Sequence, residues 1–336
     1  MIKQAALQIL KLTGGFSLAR SLSKQKLRIL CYHGIALDDE HRFKPALFMS
    51  TERFHQRMQT IADQHYPVLS LGDALQRLDN HTLPDNAVVL TIDDGWVGTH
   101  RYALPILEQF GFPATIYITT YYANYGEPVF NLMVRYLFWK TRTTQLDLSS
   151  LDPQLSGDFD LTITTEREKA ANLIITMGKH HYKAPQQTRL ARRCASALGI
   201  DIEPLIKQRL LQLMTREEVR DADARGFDIQ LHTHRHLPLS EAGIDVSREI
   251  RDNRRILQDW LPGKQFDQLC YPGGFHREGI WDTLREDEVA AATTCEGGLN
   301  TATTEKMALK RYLDEDDRPQ LTFESDLCGM SAWLRR

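Results

Sequence analysis

Nowhere in the chain do apolar residues run for the roughly 18 positions that a membrane-crossing helix requires, so none is expected. Cysteine is sparse: Cys31, Cys194, Cys270, Cys295 and Cys328 are an odd set with no Cys-x-x-Cys spacing. That pattern argues against a disulfide framework and against a thiolate zinc site, and a reducing, cytoplasmic setting is the simpler expectation. An excess of one charge is lacking too. Lys and Arg number 41 against 44 Asp and Glu, a net charge of -3, which gives no general affinity for nucleic acid. With 42% hydrophobic and 25% charged residues over 336 positions, and no low-complexity run or repeat, the composition is that of a globular protein with a sizeable core.

A secretory leader is not expected either. Lys3 precedes an apolar stretch, but Gln8 and Lys11 interrupt it and no small-residue cleavage site follows. What the first 26 residues do have is helical spacing of Ile2, Ala5, Ala6, Ile9 and Leu10, with positive charge from Lys3, Lys11, Arg20, Lys24 and Lys26. Residues 1–26 are therefore read as an amphipathic helical segment packed on the domain, with peripheral contact to an anionic inner-membrane surface as the alternative.

Short apolar runs rich in β-branched residues recur at 27–32, 67–71, 87–92, 114–119, 227–231, 268–271, 289–294 and 307–313, and their length and composition predict buried strands. Helical patterns separate them. Phe54, Met58 and Ile61 mark one helix face behind a Ser50 or Thr51 N-cap, and Thr215 with Glu218 forms a capping box for a helix that Gly226 ends. Val246, Ile250, Leu257 and Leu261 mark another. Alternation of this kind predicts an α/β fold with a mostly parallel sheet, open or closed into a barrel. The rhythm breaks over about 121–214, where a polar middle lies between helical stretches; this predicts a largely helical insertion without a sheet of its own.

Two segments concentrate chemistry. The apolar run Val88-Val89-Leu90-Thr91-Ile92 ends abruptly in Asp93-Asp94-Gly95-Trp96. Parallel α/β folds build their sites at strand C-termini, and adjacent carboxylates there point in different directions, so one can bind a metal while the other remains a base. An Asp-Asp-Gly turn that merely closes a strand is the bland alternative. The second segment is Leu231-His232-Thr233-His234-Arg235-His236. Two imidazoles four residues apart can reach one ion, which favours His232 and His236 with His234 in reserve, whereas a polar surface loop is the plain alternative. Together the segments offer two histidines and one aspartate with coordination positions left open, the hydrolytic and not the closed structural pattern.

With these residues in hand, the chain resembles the polysaccharide deacetylases, the NodB-homology group of carbohydrate esterase family 4. The family's Thr-Phe-Asp-Asp-Gly signature matches Thr91-Ile92-Asp93-Asp94-Gly95, and its His-to-His i, i+4 signature matches His232 and His236. Cys31-Tyr32-His33-Gly34-Ile35 and Cys270-Tyr271-Pro272-Gly273-Gly274 are weaker matches, and the likeness covers roughly 27–120 and 213–313. The resemblance implies a distorted (β/α) barrel of about seven parallel strands over 27–313, the insertion at about 121–214, and a C-terminal tail over 314–336. It also implies removal of N-acetyl groups from an amino sugar in a polysaccharide or lipid-linked glycan, in the branch tied to exopolysaccharide assembly.

The family's pattern further implies Asp93 as general base and Asp94, His232 and His236 as ligands of one divalent ion, zinc first and others in its place. Gly273 is the expected oxyanion donor, and Tyr271 and Trp96 are candidates for stacking on sugar or for plain wall positions. Two departures stand out. Cys270 occupies the place where many members carry the arginine that orients the base, and Arg311 is the candidate to replace it. No histidine follows Arg311, so the acid role falls to His33, as in the rearranged branch that acts on surface polysaccharides. A deformylase-like amide hydrolase using the same site, and a non-catalytic sugar-binding relative, are the competing functions.

Overall fold

The computed structural model describes residues 2–334. All eight expected strands form. Arg28–Tyr32, Val68–Leu69, Val88–Ile92, Thr115–Ile118, Asp228–Leu231, Gln268–Cys270, Ala291–Thr293 and Tyr312–Leu313 make one sheet, parallel throughout. Arg28–Tyr32 pairs Val88–Ile92 residue for residue and is flanked on its other side by Tyr312–Leu313. Beyond Val88–Ile92 the order runs through Thr115–Ile118, Asp228–Leu231 and Gln268–Cys270 to Ala291–Thr293. Val68–Leu69 pairs the first half of Val88–Ile92, and Thr115–Ile118 pairs the second half.

The two ends of this path then meet. Leu309 bridges Thr293 in parallel, its N–H donating to the Ala292 carbonyl and its carbonyl accepting from Thr294 N–H, both at 2.9 Å. Arg311 N–H adds a bond to the Glu296 carbonyl at 2.9 Å. The sheet is thus a curled, distorted barrel, parallel as the alternating pattern predicts and closed as the family resemblance implies. Every residue of Arg28–Tyr32 and Val88–Ile92 is buried, which is why these strands read as continuous apolar runs and not as alternation. Parallel strands end at the same rim, so His33, Asp93, Asp94, His232, Tyr271 and Thr294 are gathered there by connectivity alone.

Helices cover the outside. Thr51–Asp63 buries Phe54, Met58 and Ile61 along one face. Ser50 holds the N-cap position, but its hydroxyl makes no cap bond and donates to Asp316 Oδ1 at 2.7 Å, a charged acceptor that outcompetes the helix end. Val246–Trp260 buries Val246, Ile250, Asn253 and Leu257, and is capped by Asp245, which accepts from Arg248 N–H at 3.0 Å. One close approach ties two rim loops together. A Cβ built on Gly98 would lie 1.8 Å from the Ile35 carbonyl oxygen, so only glycine fits where the loop after Asp94 passes the loop after His33. Gly98→Ala is expected to cost about 3 kcal/mol or more of stability, because backbone must shift; chemical denaturation of the variant checks this.

Ile2–Leu12 and Gly15–Leu22 are helices joined through Gly14, and Leu7, Phe16 and Ala19 bury with Cys328 and Met330. The side chains of Ile2 and Lys3, counted above in the amphipathic pattern, lie outside the described residues. Residues 314–336, which the sequence marks only as a tail, carry helices Gln320–Leu327 and Met330–Leu334, the first of them with polar Ser325 and Asp326 buried. Such a helix shows no apolar stripe to read.

Residues 37–39 and 121–215 form a compact unit of their own. Helices Phe130–Lys140, Thr164–His181 and Ala184–Ala197 supply its core through Met133, Leu137, Ile174, Leu190 and Cys194. Contrary to expectation it does contain a small sheet, an antiparallel ribbon of Gln145–Asp147 with Asp158–Asp160. Each strand buries one residue, Leu146 facing Phe159, so three positions of alternation were too few to register as a strand.

Candidate active site

Two carboxylates leave the Val88–Ile92 strand and enter different surroundings. Asp93 is buried and clamped from below by Arg311, whose Nη1 and Nη2 donate to Oδ1 and Oδ2, each at 2.8 Å. The guanidinium is itself fully buried, and its remaining donors reach Thr294 O at 2.8 Å, Thr91 Oγ1 at 3.1 Å and Cys270 Sγ at 3.0 Å. This is the fork geometry for which arginine, and not lysine, is suited. Burial alone would raise the Asp93 carboxyl, but Arg311 outweighs it and holds the group well below the usual carboxylate range. Cys270 Sγ at 3.2 Å and Cys31 Sγ at 3.4 Å crowd Oδ2, and burial pushes both thiols well above their ordinary value, so they remain neutral. His33 Nε2 lies 3.8 Å from the same oxygen.

Asp94 turns the other way. Its backbone is left-handed, with φ 71°, and Gly95 follows at φ 81°. Oδ1 stands 3.1 Å from His232 Nε2 and 3.1 Å from His236 Nε2, while Oδ2 accepts from Trp96 Nε1 at 2.8 Å. Thr233 and His236 also have positive φ, 61° and 55°. Four left-handed residues, three of them not glycine, thus sit within two short segments, the concentration of backbone strain that marks functional sites.

Both histidines present Nε2, and for His232 the reason is visible: its Nδ1 lies 2.8 Å from the Cys270 carbonyl, which fixes Nδ1 as the donor. Burial disfavours protonating His232, but Asp94 and Asp93 outweigh it and raise its pKa. The His232 N–H donates to Asn253 Oδ1 at 3.0 Å, and Asn253 Nδ2 donates to the Ile118 carbonyl and Thr120 Oγ1, both at 3.0 Å. Asn253→Ala would leave a buried N–H and a buried carbonyl without this partner, and a stability loss of about 3 kcal/mol is expected in denaturant titration.

Three groups of side chains bring their donor atoms within 4.8 Å of one another: Asp94 with His232 and His236; Cys31 with His33 and Asp93; and Asp93 with His232 and Cys270. The last two contain Asp93, which already neutralises a guanidinium, and thiols that burial keeps protonated. Neither suits a second cation. The first has an acidic oxygen free of any arginine and an imidazole whose tautomer is set for ligation, so its donor chemistry fits one divalent ion.

The remaining candidates are placed as follows. Trp96 and Tyr271 are buried, the tyrosine hydroxyl donating to the Met307 carbonyl at 2.9 Å, which sets both among the wall positions of the site. Large aromatic rings beside a motif look alike in sequence whether they face the core or a ligand. Gly273 has φ 63°, and among the described residues no backbone carbonyl accepts from its N–H. His234 is turned aside, its Nδ1 2.9 Å from Thr120 Oγ1. Sequence reasoning missed Asn253, although a polar residue in register with Val246, Ile250 and Leu257 on a buried stripe was the available sign.

Comparison with known proteins agrees with this frame. The family profile for polysaccharide deacetylase matches residues 80–137 and 188–292, which extends past the motif likeness into 121–137 and 188–212 and leaves His33 and Arg311 outside the match. In sequence the chain is 30% identical over 94 residues to YxkH of Bacillus subtilis (strain 168), whose name assigns it to the polysaccharide deacetylases; the alignment covers 28% of this chain and 32% of that one. The chain therefore matches about a third of that relative's length. In fold it is similar to the deacetylase PplD of Streptococcus pyogenes, solved in complex with acetate (TM-score 0.57, 18% identity, 87% of this chain and 93% of that one). It is similar as well to a de-N-acetylase from Aggregatibacter actinomycetemcomitans (TM-score 0.56, 14% identity, 90% and 99%). By its profile match over 80–137 and 188–292 the chain carries a polysaccharide deacetylase domain, set on the fold of solved deacetylases.

Proposed function

We propose that this protein removes N-acetyl groups from an amino sugar within a glycan, using Asp93 as general base, His33 as general acid, and Asp94, His232 and His236 to hold one divalent ion. The observation that carries this is the equal 3.1 Å reach of His232 and His236 to Asp94 Oδ1, one residue away from a carboxylate kept ionised by a buried arginine. A divalent ion supplies Lewis-acid chemistry at such a site, acidifying water and polarising an acyl oxygen. Zinc suits a donor set of two imidazoles and one carboxylate, and other divalent ions accept the same donors.

The chain's own groups then divide the work. Asp93 takes a proton from the attacking water; its depressed pKa makes it a modest base but guarantees that it is ionised and ready. Arg311 fixes its orientation and leaves Oδ1 only one protein donor among the described residues. As the water oxygen bonds to the acyl carbon, the Gly273 N–H offers a donor to the developing oxyanion. His33 gives a proton to the amine nitrogen as the carbon–nitrogen bond breaks, so acetate and a free amino group leave. The acyl donor is proposed to belong to a surface polysaccharide or its lipid-linked precursor, and the setting to be cytoplasmic. The test is acetate release from N-acetylglucosamine oligomers by zinc-loaded protein, with loss on chelation and return on adding metal. Release from N-formyl but not N-acetyl sugars, or none from either, would reject the assignment.

A further inference from the structure

Half of the large apolar residues exposed among the described ones lie at one end of the chain's fold. Ile9 is 61% and Leu12 76% exposed on the first helix, Leu18 is 56% and Leu22 57% exposed on the second, and Trp333 and Leu334 are exposed on the last. The last helix packs on the second, and the first two on each other. Ile9 and Leu12 are three residues apart, Leu18 and Leu22 four, so each pair forms a stripe on one helix face. Helical geometry puts those stripes opposite Leu7 on the first helix and Phe16 on the second, which are buried against Cys328 and Met330. They are therefore not the faces that hold these helices to the barrel.

The N-terminal and C-terminal segments themselves are one-sided in charge. Residues 1–26 contain Lys3, Lys11, Arg20, Lys24 and Lys26 and no Asp or Glu, while the whole chain is net -3, so the rest is acidic. Residues 328–336 likewise contain no acidic residue. Lys11 pairs with Glu324 and Lys24 with Asp85 at 3.2 Å, and Arg20 donates to the Gln64 carbonyl at 2.8 Å. The Lys24 and Asp85 side chains are both about half exposed, which makes their pair weak and exchangeable. A second copy of this chain is a poor occupant, because a symmetric contact would set one all-basic segment against another. An anionic bilayer fits both features: leucine and isoleucine enter the boundary of headgroups and acyl chains, and lysines meet lipid phosphates.

We propose that the paired N-terminal helices dock this protein on an anionic membrane surface through Ile9, Leu12, Leu18 and Leu22. The surface is separate from the hydrolytic site, so this stands or falls independently of the activity. The test is co-sedimentation of the full chain with vesicles of phosphatidylcholine alone and of phosphatidylcholine and phosphatidylglycerol in equal parts, at low and high salt. Binding is expected to the mixed vesicles only. It should weaken about tenfold or more in Leu18→Glu/Leu22→Glu and again on raising the salt, with hydrolysis of a soluble oligomer unchanged. Leu18→Gln/Leu22→Gln repeats the measurement if the first variant's melting curve is altered. Failure of the wild type to pellet with mixed vesicles, equal pelleting of the variants, or a variant effect on oligomeric mass in place of vesicle binding would each overturn the proposal.

Discussion

Asp94→Ala is expected to leave a folded protein that no longer retains its divalent ion, whereas Asp93→Asn keeps the ion and loses hydrolysis by about a hundred- to ten-thousand-fold. The two neighbours differ because their environments do. Asp94 Oδ1 is the shared contact of His232 and His236, so removing it takes away the one anionic donor of the three. Asp93 faces Arg311, and its proposed part is charge and proton acceptance. Metal content by elemental analysis, read beside kcat/KM for the same preparations, separates the roles. Equal metal loss in both variants, or full activity in Asp93→Asn, would break the division of labour proposed here.

Arg311→Met is expected to be the most damaging change outside the ligand set and Asp93 itself, through two effects that can be measured apart. First, it strands a buried carboxylate, and removing one partner of a buried pair costs about 3–5 kcal/mol. Second, it removes the cation that overcomes burial at Asp93. With Arg311 present, the folded-state pKa is depressed, so the pair's contribution to stability is present above the unfolded value and fades only as pH falls through the folded one. Without it, burial raises Asp93, the ionised base is populated only at higher pH, and the acidic limb of the kcat/KM profile moves upward. Arg311→Lys keeps a charge but not the two-pronged contact and should fall between. An unchanged acidic limb in Arg311→Met would mean that the guanidinium does not govern the base.

Much of this fold was legible because its strands are buried on both faces. Runs such as 87–92 and 227–231 have few polar interruptions, and each ends in residues that are expensive to place without a purpose. The Asp93-Asp94 pair and the histidine triplet were visible for the same reason. Arg311 could be named but not located, since arginine is usually exposed and only three-dimensional closure of the barrel brings it beneath Asp93. For Trp96 and Tyr271 the sequence left two roles open: aromatic character was clear, but the direction of each ring depends on packing that no local pattern records. The ribbon at Gln145–Asp147 was hidden because its strands are too short to show a period.

The joint of the barrel at Leu309 carries a consequence for how this protein fails. Among the described residues one bridged pair closes that seam, against five paired residues between Arg28–Tyr32 and Val88–Ile92, and Arg311 lies between the seam and the strand that leads back to Cys31. Breathing of the seam would swing the guanidinium out before the rest of the cylinder loosens. Amide exchange at Leu309 and Thr294 should then track inactivation on warming, so that the molecule goes silent through an unlatched hinge while most of its architecture is still intact.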